Sequence, residues 1–320
     1  MPSKRTFPLF ALAFILFVSG CTTTTGGTGP GVVITAWEPE LASIFSNDEI
    51  DFLLKVENQG QSRARNVVAE ITNIDTTEWG SFFQQQLQLG DLIPADPVTG
   101  TPGETKSDQF ENLRAPILSK GTSFTYQPTV RVSYDYTTTA QKPITIVDSQ
   151  ELIRIKQRGG TLLSSTSTQT SGPLNVQIIM GNFVKTSGTF GSFGQTYDIF
   201  PVQIRITNTL FSSGGSVIPK SFGGFGSFGA DHPVLVRVTP PSGTSFIFSG
   251  FGDEDCSRSQ LTIDLFRGQE AEITCELEVT NPPSFLSESQ MQVELDYRYF
   301  IDAVTQVTVQ GTREVGGGFF

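Results

Sequence analysis

Hydrophobic and polar residues alternate with a period of two along several stretches of this chain, the pattern of strands with one buried face. Ile50, Phe52, Leu54 and Val56 alternate with Asp51, Lys55 and Glu57, Leu53 being the exception, and the run stops at the turn Asn58-Gln59-Gly60. Residues 64–71 follow as a second strand, so 49–74 reads as a hairpin-like unit. After a polar, proline-rich excursion over 94–116, Tyr126, Val130, Val132, Tyr134 and Tyr136 share one parity while Arg131, Ser133 and Asp135 share the other. Ile144 and Ile146 close this region, with Ile153 and Ile155 as a candidate trailing strand. Further on, Ala271, Ile273, Cys275, Leu277 and Val279 have one parity and Glu270, Glu272, Glu276 and Glu278 the other. That arrangement predicts a solvated glutamate face and an inward-pointing Cys275.

The pattern occurs twice. Leu54-Lys55-Val56-Glu57-Asn58 has the character of Ile204-Arg205-Ile206-Thr207-Asn208, and the strand of Val130 to Tyr136 that of Met291 to Tyr297, with Asp135 opposite Asp296. Ile144 and Ile146 find counterparts in Val307 and Val309. Residues 22–31, made of Thr, Gly and Pro only, hold nothing to bury and read as a flexible tether. The Gly/Ser/Thr-rich 159–172 reads as a linker. The expected organisation is therefore a leader (1–20), a tether (21–31), one β domain (32–158), a linker (159–172), a second β domain (173–311) and a flexible tail (312–320).

The leader has its own signature. Lys4 and Arg5 precede an apolar run over 7–18, too short for a membrane-spanning helix of about 20 residues but the length of a signal-peptide core. Ser19-Gly20 then leads directly into Cys21, and Val18-Ser19-Gly20-Cys21 resembles the lipobox of prokaryotic lipoproteins. The resemblance implies cleavage before Cys21, a lipid on its sulfur, and a mature chain tethered to the membrane on its outer side.

Composition narrows the function classes. The 320 residues carry a formal charge of -11, and loss of Lys4 and Arg5 with the leader takes the mature chain to -13. A field of that sign repels nucleic acid and anionic headgroups, which excludes both as partners. With Cys21 lipidated, Cys256 and Cys275 remain as a pair in an oxidising compartment, and a disulfide between them is expected. Two buried free thiols or half of a metal site are the alternatives, although His232, the lone histidine, leaves too few ligands for zinc.

The strand, turn and strand over Asp51 to Val67, with Arg65-Asn66-Val67 opening the second strand, resemble the tandem immunoglobulin-like β-sandwiches of archaeal and bacterial surface proteins, including the CARDB-type domains. The likeness extends loosely over 32–155 and more weakly over 173–309. Together with the Cys-Thr tether, the chain looks most like an archaeal or bacterial surface lipoprotein with two such domains. The resemblance implies an all-β fold of two tandem β-sandwiches and offers no catalytic residues to carry over.

Signatures of chemistry are weak. Gly224-Phe225-Gly226-Ser227-Phe228-Gly229 has the spacing of a dinucleotide fingerprint, but Ala230-Asp231-His232-Pro233 follows in place of a helix. No Gly-x-Ser-x-Gly or Ser-x-x-Lys occurs. Asp253-Glu254-Asp255 lacks the spaced ligands of a calcium loop and reads as a hydrated acidic turn. The least ordinary feature is a set of phenylalanines in Gly/Ser surroundings: Phe190, Phe193, Phe222, Phe225, Phe228, Phe248 and Phe251. Exposed, they form an apolar patch suited to a partner; folded back, they form a satellite core. The expected function is a non-catalytic, lipid-anchored surface protein that binds a surface protein or glycan or scaffolds the envelope, with no cofactor and no metal. Self-assembly into a surface filament and a carbohydrate- or calcium-dependent binding module are the alternatives.

Overall fold

A computed structural model of the chain describes residues 29–80, 84–162, 165–181, 183–186, 198–219, 231–247, 256–258 and 260–312. The strands of the first half are β1 (Val32–Pro39), β2 (Ser43–Phe45), β3 (Glu49–Asn58), β4 (Ala64–Thr72), β5 (Gln86–Leu92), β6 (Thr105–Arg114), β7 (Ser123–Tyr126) and the long β8 (Thr129–Asp148). A helix, α1 (Ser149–Gln157), leads to the second half: β9 (Thr168–Gln169), β10 (Leu174–Ile179), β11 (Phe183–Thr186), β12 (Ile199–Asn208), β13 (Ser216–Ile218), β14 (Pro233–Thr239), β15 (Thr244–Phe246), β16 (Leu261–Asp264), β17 (Glu270–Val279), the long β18 (Leu286–Val304) and β19 (Val307–Gln310). The fold is all-β, with sheets layered as in a β-sandwich around one contiguous hydrophobic core.

Alternation sets the layers as the sequence predicts. In β3 the side chains of Ile50, Phe52, Leu54, Val56 and Asn58 are buried and Leu53 faces out. Val130, Val132, Tyr134 and Tyr136 of β8 are likewise buried, as are Ile273, Cys275, Leu277 and Val279 of β17. One three-stranded sheet has the order β1-β3-β6, and one four-stranded sheet the order β10-β12-β17-β15. The first lies wholly in the first half and the second wholly in the second half. The nine-stranded sheet is confined to neither: its path β16-β14-β18-β8-β4-β5 crosses from one half to the other where β8 and β18 pair antiparallel, from Thr129 opposite Val304 to Val147 opposite Leu286.

Three segments depart from the sequence reading. The polar excursion contains β6, an edge strand in which only Phe110 and Leu113 are buried; a bulge opposite Ile50 and Phe52 breaks its alternation. An edge strand with one partner and a solvated face carries too little apolar signal to read. Ile153 and Ile155 lie in α1 and not in a strand. The Asp148 carboxylate caps that helix by accepting from the backbone N–H groups of Gln150 and Glu151, and only Leu152 is buried from it. Where a free linker was expected, Thr168 and Gln169 pair with Gln141 and Ala140 of β8, and Ser171 is buried.

The outer edge of β5 is occupied: Lys106 Nζ donates to the carbonyls of Leu89 (2.7 Å) and Asp91 (2.9 Å). Such a lysine satisfies strand carbonyls that would otherwise template pairing with another chain.

Candidate functional site

The residues singled out from the sequence divide sharply. Cys21, the phenylalanines Phe190, Phe193, Phe222, Phe225, Phe228, Phe248 and Phe251, the acidic run Asp253-Glu254-Asp255 and the tail 313–320 lie outside the described residues. Cys256 and Cys275 form a disulfide with their Cα atoms 5.7 Å apart, and both are buried. Cys275 points inward from β17 because its parity matches that of Ile273 and Leu277. His232 is structural in its contacts. Its Nδ1 lies 2.8 Å from the Val217 carbonyl, and its backbone N–H donates to Asp264 Oδ1, which ties the start of β14 to β13 and β16.

What the structure brings together, and periodicity alone does not reveal, is a seam of four tyrosines where β8 and β18 cross between the halves. Tyr136 stands opposite Tyr297, and Tyr134 opposite Tyr299. Their rings touch in a closed set with centroids 5.9 Å (Tyr134 and Tyr136), 6.0 Å (Tyr134 and Tyr299), 6.2 Å (Tyr136 and Tyr297) and 6.3 Å (Tyr297 and Tyr299) apart. Three hydroxyls are held by polar groups. Tyr136 Oη accepts from Ser62 N–H and donates to the Ser171 carbonyl. Tyr299 Oη donates to Asn208 Oδ1 at 2.6 Å, and Tyr297 Oη shares a 2.7 Å bond with Thr138 Oγ1. Glycines admit the rings: a Cβ on Gly60 would lie 1.9 Å from Tyr136 Oη and one on Gly215 2.6 Å from Tyr299 Oη.

Burial drives these phenols away from ionisation. It raises Tyr136 to about 12, lifts Tyr299 further, and holds Tyr134 and Tyr297 well above the ordinary value of 10.0. Groups tuned for proton transfer are shifted toward neutrality, whereas these are shifted away from it. The seam is therefore a joint, in which the hydroxyls of Tyr136, Tyr297 and Tyr299 serve as hydrogen-bonding groups. Burial also lowers the Lys142 ammonium, which donates to the Ser165 carbonyl.

Two asparagines, Asn58 fully buried and Asn208 partly buried, end corresponding strands in the same way. Asn58 Oδ1 accepts from Gly60 N–H, and its Nδ2 donates to the carbonyls of Ser62 and Leu92. Asn208 Oδ1 accepts from Leu210 N–H, and its Nδ2 donates to the carbonyls of Gly215 and Gly268. These side chains fix the exit of β3 and β12 as Asx turns. The sequence match of the two segments signalled their likeness but not this role.

On the outer surface of the β1-β3-β6 sheet, Glu38, Pro39, Glu40, Asp51, Leu53 and Gln109 line an open recess of about 390 Å³. Asp51 Oδ1 is engaged by Asn112 N–H. Among the described residues no group of three His, Cys, Asp or Glu side chains is placed to hold a metal ion.

No family model and no curated protein matches the chain. Among solved structures, one described as a crystal structure with a xylogluco-oligosaccharide aligns over 87% of this chain and 58% of its own length, at 11% identity and a TM-score of 0.11. A likeness that slight carries no argument about fold or ligand.

Proposed function

We propose that this chain is an extracytoplasmic, lipid-anchored surface protein with a non-catalytic role in adhesion, binding or envelope scaffolding. The observation that carries the reading is the buried Cys256 to Cys275 disulfide, because such bonds persist where the environment is oxidising. It agrees with the leader, in which Lys4 and Arg5, the apolar run and Val18-Ser19-Gly20-Cys21 follow one another. No helix among the described residues is long and apolar enough to cross a membrane. In this reading attachment is through a lipid on Cys21.

The tether would hold the molecule at its middle. Gly31 packs beside Tyr134 Oη and Pro173, and its carbonyl accepts from Gln59 N–H, next to the tyrosine seam. Residues 22–28 span at most about 25 Å when extended. Both halves would then sit at similar distances from the membrane, ready to meet a partner side by side.

Membrane fractionation of wild type and Cys21→Ala in the native host tests the reading. The wild type should partition with membranes and be cleaved by protease added to intact cells, and the variant should be lost from the membrane fraction. Unchanged partition of the variant, or a protein shielded from protease, would contradict it.

A further inference from the structure

The two halves share one topology. β1 pairs with β3 so that Val32 faces Asn58, and β10 pairs with β12 so that Leu174 faces Asn208. β3 pairs with β6 as β12 pairs with β17, β4 with β5 as β14 with β16, and β4 with β8 as β14 with β18. Tyr136 and Tyr297 occupy equivalent places, 161 positions apart like Val130 and Met291, and they face each other across the seam. A local two-fold axis relating the halves therefore passes between them.

Beyond that axis neither long strand turns back. β8 leaves β4 and runs on into the second half, where Thr145 to Asp148 pair in parallel with Phe183 to Thr186 of β11. β18 leaves β14 and runs beside the first part of β8, and the chain continues into β19. There Thr308 to Gln310 pair in parallel with Ser43 to Phe45 of β2. β2 and β11 hold equivalent positions, β2 following β1 and β11 following β10, the strands that pair with β3 and β12.

We infer that the chain is a duplicated unit whose copies have exchanged their final strands, an internal counterpart of a strand-swapped dimer. Each half is completed by the other: β11 has its partner in β8, and β2 in β19. The covalent connection through α1 and residues 158–167 is then not what holds the halves together. The shared strands are, and the two halves unfold as one body.

Cutting the connection tests this. A protease site inserted between Gly159 and Gly160, in an exposed turn, allows the folded full chain to be cleaved after purification. The fragments should co-elute in native buffer with the mass of the uncut chain, separate only in denaturant, and melt at a midpoint that rises with protein concentration. Folded fragments that part in native buffer would overturn the inference. Calorimetry of the uncut wild type is independent of the insertion: a single transition is expected, and two transitions, one for each half, would also overturn it.

Discussion

The two halves repeat one topology but fill it differently. In the first, aromatic rings form a chain through the core: Trp37 stacks on Phe52 (5.2 Å between centroids), meets Phe110 edge-on (5.7 Å), and Phe52 leads to Trp79 (6.5 Å) and Tyr126 (5.2 Å from Trp79). In the second, the corresponding sheet buries Leu174, Val176, Ile178, Val202, Ile204, Ile206, Ile273 and Leu277, with the disulfide beside them. A large ring buries more apolar area per residue than an aliphatic side chain, and a disulfide restrains the unfolded chain instead. Strand order and the Asx turns are thus what the repeats share, while the means of stabilisation is free to differ.

The tyrosine seam belongs to both halves, so its failure should erase the comparison altogether. Each of these phenols has its folded pKa raised above the unfolded value, so the stability they contribute is fully present below about pH 10 and is lost as pH rises through the folded values, about 12 for Tyr136. Between about pH 10 and 12 each tyrosine kept protonated in the fold costs about 1.4 kcal/mol per pH unit, and four together roughly 5 to 6 kcal/mol per unit. Urea titrations at stepwise higher pH should show one steep loss shared by both halves. Next in size, Phe52→Ala should cost about 3–5 kcal/mol by opening a cavity in the aromatic chain, measured as a shift in urea midpoint. Replacing Cys256 and Cys275 together with Ala should cost about 3 kcal/mol through release of the roughly 20-residue loop, without a matching effect available in the first half.

The Asn58→Ala and Asn208→Ala variants sharpen the likeness. Each leaves two carbonyls and an N–H without a side-chain partner, so each should cost about 1–3 kcal/mol, with Asn208→Ala the costlier because it also removes the acceptor of Tyr299 Oη. The smallest effect expected is that of Arg114→Ala. Its 2.7 Å ion pair with Glu49 is solvent-exposed on both sides, and its loss should change stability by about 1 kcal/mol or less.

Much of this architecture is legible in the chain. Alternation located β3, β4, the inward face of β8 and the parity of β17, because each has one face in the core and one in solvent. The capping pattern of Asp148 and Glu151 marks α1, whereas the parity of Ile153 and Ile155 taken alone reads as a strand. β6 escaped because an edge strand with two buried side chains has almost no periodic signal. The exchange of strands was illegible for a different reason: periodicity states that a residue faces a core, never which half supplies that core. The repeat of Val130 to Tyr136 in Met291 to Tyr297 pointed to two like strands without showing that they lie against each other. The phenylalanines expected to meet a partner lie outside the described residues, so the site they would form rests on the sequence alone.

The coupling of the halves can be read directly because both tryptophans, Trp37 and Trp79, are buried in the first half. Their fluorescence reports that half alone, whereas far-ultraviolet circular dichroism reports all the strands. Ile204→Ala opens a cavity in the second half, at a fully buried position of β12. The exchanged-strand account predicts that this substitution lowers the fluorescence midpoint by the same amount as the dichroism midpoint. A fluorescence midpoint left at the wild-type value while the dichroism transition splits or shifts would show that the halves unfold separately, and would contradict it.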